Sequence, residues 1–281
     1  MVLWRREPPA MTLSRLEQND PTLTHLNVSV GPGGNYWPKD SADLARLGHA
    51  IGANTYLRRL DLDIRSARAL ALADMAANNG TFFEGLKRNS STNELWLAGY
   101  DLSTGMGHDI LNGFVVNNSN LRAIGLNTCT LENGGTAVLL ASAVSSCTNL
   151  NSIKLNGYYD NDDDILGEFI SGIRGLHQLR TLDLHWNNFG RASCEALATL
   201  LQDPNGNLTW IGLEKNRTID DNCATVLTNS LKVNCKLESL CFSFSSNNIA
   251  ITDNGWDAFS QVLCNTSSVN DTYLSNHTLN N

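Results

Sequence analysis

Leu121, Leu150, Leu179, Leu208 and Leu237 follow one another at equal steps of 29 residues, and each opens the same pattern. In Leu179-Arg-Thr-Leu182-Asp-Leu184-His-Trp-Asn187-Asn-Phe189, apolar residues hold places one, four, six and eleven, and Asn holds place nine. Leu121, Ile124, Leu126, Cys129 and Leu131 fill the same five places. Leu150, Ile153 and Leu155 fill the first three; Leu208, Ile211, Leu213 and Asn216 the first four; Leu237, Leu240 and Phe242 the first three. Weaker copies open at Leu23, Leu57, Thr92 and Val269, at steps of 34, 35, 29 and 32 from their neighbours. Such a period means stacked units, because one unit cannot bury its apolar face alone.

Apolar residues at places four and six, with polar residues between, point one face of a short strand inward. Asn or Cys at place nine suits a turn, where a buried side chain can satisfy backbone groups. The remainder of each unit reads as helix. Ala137-Val-Leu-Leu-Ala-Ser-Ala-Val144 and Cys194-Glu-Ala-Leu-Ala-Thr-Leu-Leu201 carry apolar residues at three- and four-residue spacing. The recurrence predicts nine parallel strands in one curved sheet, at 24–28, 58–62, 93–97, 122–126, 151–155, 180–184, 209–213, 238–242 and 270–274, with helices between them.

These repeats resemble the ribonuclease-inhibitor-like class of leucine-rich-repeat proteins. The resemblance covers about residues 20 to 281. It implies an α/β solenoid shaped as a horseshoe, with a parallel sheet on the concave side and helices on the convex side. It fixes fold better than function. The expected division is an N-terminal extension and cap at 1–20 and a repeat domain of about nine repeats at 21–281, the last incomplete. Met11, Leu13 and Leu16 predict a short capping helix, with Met1 to Pro9 loose. The long early steps imply longer loops, one at Val30-Gly-Pro-Gly-Gly-Asn-Tyr-Trp-Pro38, another around Asn78-Asn-Gly-Thr-Phe-Phe83.

Composition narrows the partners. The formal charge is −8, which disfavours a duplex-binding surface, so nucleic acid is not expected. A basic or apolar protein partner suits that charge better. No run approaches the roughly 20 apolar residues of a membrane span. The charged start, Met1-Val-Leu-Trp-Arg-Arg-Glu, lacks a signal peptide's apolar stretch, so the expected location is cytoplasmic. Seven cysteines (129, 147, 194, 223, 235, 241 and 264) form no C-x-x-C pair and read as mostly buried free thiols. Sequons such as Asn89-Ser-Ser91, Asn207-Leu-Thr209 and Asn265-Thr-Ser267 matter only in a secreted chain.

Motifs of chemistry fail on inspection. A calcium loop opening at Asp160 would need Gly at 165 and Glu at 171, where the chain has Ile165 and Ser171. Asp162 to Asp164 read instead as the acidic opening of a helix, as do Asp220 and Asp221. Gly31-Pro-Gly-Gly34 lacks a P-loop's ending and Gly105-Met-Gly107 the third Gly of a dinucleotide fingerprint, so both read as turns. His185, Glu214 and Ser243 share one row. His185 and Ser243 would stand two strands, on the order of 10 Å, apart, too far for a catalytic triad. No metal or cofactor is expected and the chain is not expected to be an enzyme.

The leading expectation is a non-catalytic module that binds a protein partner on its sheet face. Trp96, Asp183, His185, Trp186, Trp210, Glu214, Lys215 and Phe244 occupy outward places there, and large outward aromatics suit a contact surface. Ala123, Gly125, Asn127 and Thr128, with Ser152, Lys154, Asn156 and Gly157, would leave room for a partner to reach the sheet. Alternatives are a GTPase-activating regulator resembling the activator of Ran, whose acidic tail is not seen before Asn281, and an extracellular recognition receptor. The last repeat has a strand without a following helix, which suggests association through an open C-terminal end.

Overall fold

The computed structural model describes residues 8–29, 34–65, 80–103, 105–157, 162–242, 250–263, 276 and 278–279. Contacts gather into two compact units: residues 1–130 with 146–150, and residues 131–145 with 151–281.

The first unit contains strands β1 (His25–Val28), β2 (Arg59–Asp63), β3 (Glu94–Ala98) and β4 (Ala123–Asn127), paired parallel in chain order. Its helices are α1 (Pro9–Glu17), α2 (Ser41–Ala53), α3 (Gly80–Arg88) and α4 (Gly105–Ile110), the last running on as a π-helical turn at Leu111–Val115. The second unit holds β5 (Ser152–Asn156), β6 (Thr181–Asp183), β7 (Trp210–Gly212) and β8 (Ser239–Cys241), again parallel and in order. Between and around them run α5 (Gly134–Ser145), α6 (Asp163–Gly172), α7 (Arg191–Leu201), α8 (Asp221–Leu231) and α9 (Asp253–Leu263). Strand, turn and helix recur in both units, and the architecture is the α/β leucine-rich-repeat solenoid that the spacing requires. No helix among the described residues is long and apolar enough to cross a membrane.

The 29-residue step survives as strand register. Ser152 pairs with Thr181, Thr181 with Trp210, and Trp210 with Ser239. Leu60, Leu62, Leu95, Leu97, Ile124, Leu126, Ile153, Leu155, Leu182 and Ile211 are all no more than 2% exposed. The strands begin one residue later than expected and β6 to β8 are three residues long; after β6 and β7 the chain turns toward Asn187 and Asn216 at place nine. The expected strand at 270–274 lies outside the described residues.

The register of the last copy needs correction. The Asn234 side chain accepts from the backbone N–H of Lys236 and Leu237 and donates to the Leu201 carbonyl. Asn276 accepts from the N–H of Thr278 and Leu279 and donates to the carbonyls of Leu231 and Asn234. Leu279 therefore stands where Leu237 stands, ten residues beyond Val269.

Three local expectations also change. Gly105 to Gly107 open a helix rather than a turn; a side chain at 107 would meet the Asp101 carbonyl, so Gly lets this helix pack against the preceding chain. Phe82 and Phe83 lie in α3, where Phe82, Phe83 and Leu86 turn into the core, so from Gly80 on the expected loop is helix; Asn78 and Asn79 lie outside the described residues. The helix expected near the N-terminus is α1, but only Leu13 and Leu16 of its three apolar residues are buried, and Met11 is 56% exposed.

Candidate binding site on the sheet face

The turn after each strand decides which side chains the sheet face presents. At place nine, Asn187 donates to the carbonyls of Leu155 and Leu184, and Asn216 to those of Leu184 and Leu213. Asn216 also accepts from the Asn187 N–H of the preceding repeat. Cys129 does the same work more weakly, its thiol 3.6 Å from the Leu97 carbonyl. To enter this buried turn the chain adopts left-handed backbone at place eight. Gly99, Thr128, Gly157, Trp186 and Lys215, spaced at 29 residues, have φ of +82°, +49°, +83°, +64° and +64°. Glycine adopts that geometry freely; other residues are strained in it.

In the second unit this turn gathers a polar cluster. Asp183 and His185 lie two residues apart, and Glu214 occupies the place of His185 one repeat on. The His185 Nδ1 touches Asp183 Oδ1 and lies 3.9 Å from Glu214 Oε2. Lys154 Nζ approaches the other Asp183 oxygen at 3.8 Å. The hydrogen bond to Asp183 lifts His185 above the ordinary imidazole range; partial burial opposes the shift, the charges of Asp183 and Glu214 add to it, and Lys154 subtracts. Donor atoms of Asp183, His185 and Glu214 all lie within 4.8 Å of one another, the spacing of a group able to hold a metal ion.

Aromatic residues border the cluster. Trp186 is 39% exposed, and the Lys215 ammonium stands 5.7 Å from its ring centre. Trp210 is half-buried and lies over Gly212, where a side chain would meet both its ring and Asp183 Oδ1.

The first unit has its own version of this face. Trp96 lies over Gly125 of the next strand, with the Arg59 guanidinium 4.8 Å above its ring. Arg59 and His25 both hydrogen-bond Asp61. Burial raises the Asp61 carboxyl, but the bonds from His25 and Arg59 outweigh it and the group lies below its ordinary value.

Asp183, His185 and Glu214 thus come together, Trp186 meets Lys215, Trp210 adjoins Asp183, and Phe244 and Ser243 lie outside the described residues. Two expectations are corrected. Asp183 is 2% exposed, because His185, Lys154 and the Trp210 side enclose it, so it is no free contact for a partner. Gly125 leaves no opening above the sheet, since the Trp96 ring fills that space. Sequence reasoning missed Arg59, Asp61 and His25 as members of one network, although their strand register follows from the step between Leu23 and Leu57.

No protein-family model matches the sequence, and no curated protein does. Among solved structures, the chain is similar to the actin-binding site 2 region of leiomodin-1, at 17% identity and a TM-score of 0.42, over 60% of this chain and 89% of that one. It is similar to an internalin (inlF) of Listeria monocytogenes at 17% identity and a TM-score of 0.37, over 82% of this chain and 62% of the other. It is also similar to the tropomodulin C-terminal domain from Caenorhabditis elegans, at 11% identity and a TM-score of 0.33, over 69% and 93% of the two chains.

Proposed function

We propose that this chain is a non-catalytic protein-interaction module that takes a protein partner on the sheet face of its second unit. The supporting observation is Trp186. A large aromatic stands 39% exposed at a place whose φ of +64° glycine would adopt without strain. Strain of this kind, about 1–3 kcal/mol per residue, gathers where a side chain serves a purpose other than stability. Trp186 stacks with Lys215, itself at φ +64°, and together they present an aromatic face with a cation beside it. Trp is among the residues that dominate contact hot spots. Glu214, partly accessible beside them, gives the rim an acidic group that would favour a basic residue of the partner and act mainly on association rate.

The test uses the full chain as bait for native lysate, beside Trp186→Gly and Trp210→Ala baits. The expected result is a saturable partner retained by the unaltered chain and weakened by each variant, by about 2 kcal/mol for Trp210→Ala. Trp186→Gly should melt no lower than the unaltered protein. Equal retention by all three baits, with a lower melting temperature for Trp186→Gly, would make Trp186 a structural residue and remove the reading.

A further inference from the structure

The contacts proposed for a partner draw on Glu214 alone of the polar cluster and leave Asp183 and His185 unused. Asp183 is almost wholly buried, so water cannot solvate its charge, while Glu214 Oε2 is a buried carboxylate oxygen without a hydrogen-bond partner among the described residues. At 3.9 Å the His185 ring is too far to hydrogen-bond that oxygen, and a buried carboxylate oxygen so placed is costly unless a cation meets it more closely. We propose that Asp183, His185 and Glu214 together bind one divalent cation of the zinc class.

The donor set is one imidazole and two carboxylates, which suits zinc and its first-row neighbours; calcium and magnesium prefer oxygen alone. Two donors about 2.1 Å from a tetrahedral ion stand roughly 3.4 Å apart. His185 Nδ1 and Glu214 Oε2, at 3.9 Å, need only a small side-chain rotation to reach that spacing. Asp183 and His185 now touch, so an entering ion would part them. Lys154 approaches Oδ2 of Asp183, while Oδ1, which faces the His185 ring and accepts weakly from the His185 backbone N–H, would turn to the ion. The support is rigid where it must be. Asp183 closes a strand paired on both sides, and any side chain at Gly212 would crowd its Oδ1. His185 and Glu214 have 28% and 33% of their side chains accessible, which gives the ion a way in and leaves a fourth position for water.

The site is tested on the full chain, freed of metal and kept reduced. Cobalt(II) serves as the spectroscopic probe and zinc is followed by calorimetry. The expected result is one saturable equivalent, visible cobalt bands without the charge-transfer band of thiolate ligands, and displacement of cobalt by zinc. His185→Gln and Glu214→Gln should each lower affinity at least about tenfold. Both should keep the circular dichroism of the parent; Glu214→Gln should also keep its metal-free melting temperature, whereas His185→Gln, which takes the imidazole from the buried Asp183, should melt lower. A chain without saturable binding would overturn the proposal. So would a thiolate band, which would place the metal on cysteines, or unchanged affinity in a variant that folds. Should one variant fail to fold, the other and the parent's cobalt spectrum decide.

Discussion

At the scale of single residues, the left-handed place after each strand shows what this fold demands and where the chain departs from it. Gly99 and Gly157 satisfy the geometry, whereas Thr128 is β-branched and still adopts φ +49°. Its exposed side chain bonds only the adjacent Asn127 carbonyl among the contacts described. Strain at such a position exceeds the unfolded-state entropy that glycine adds, about 0.4–1 kcal/mol. Thr128→Gly is therefore expected to stabilise the protein by roughly 0.5–1 kcal/mol, read as a higher denaturant midpoint at unchanged slope. A lower midpoint would show that the turn is not strained at Thr128. The glycines at 99 and 157 mark this place in the sequence, yet Trp186 and Lys215 give no local sign of it. Their backbone follows from the asparagine one residue later and from the repeat register, which a reading of hydrophobic pattern alone passes over.

Elements of this chain meet through contacts that periodicity does not reveal. Helices α2 and α3 approach so closely that a side-chain carbon on Gly85 would lie 1.8 Å from the Gly48 carbonyl oxygen. The obstacle is backbone, so the helices must separate. Gly85→Ala is expected to destabilise by about 3 kcal/mol, the upper end for overpacking. Gly80→Ala, in the same helix with nothing within 4 Å, should be neutral or mildly favourable. Matching losses in the two variants would contradict the close approach; urea melts of the pair decide it. Helices also cap one another across repeats. Asp163 opens α6 but accepts from the N–H groups of Gly190, Ala192 and Ser193 at the start of α7. The run of acids at 162–164 is legible as a helix opening; that its middle member serves the neighbouring helix is not, because it depends on how the two pack. Asp163→Ala removes the acceptor for all three and should cost about 1–2 kcal/mol. A stability equal to the parent's would mean that water replaces the carboxylate there.

Across the whole molecule, the equal steps from Leu121 to Leu237 carry the strand order, the parallel pairing and the inward leucines, because each follows from stacking identical units. The burial of Asp183 was illegible for the opposite reason: its cover comes from residues of three different strands and turns. Place-nine asparagine is where the repeating chemistry couples neighbours most directly. Asn216 donates to Leu184 and Leu213 and accepts from Asn187 and Phe189, so it satisfies two consecutive repeats at once. It is fully buried, and truncation would leave carbonyl and N–H groups without partners or access to water. Asn216→Ala is expected to cost about 3 kcal/mol, and the loss should be local, because in a stack each repeat is stabilised mainly by its neighbours. Hydrogen exchange should quicken at 184–189 and 213–219, while β1 to β3 keep the parent's protection. Uniform loss of protection along the chain would instead mean that the repeats unfold as one block, and that coupling through single asparagines does not govern their stability.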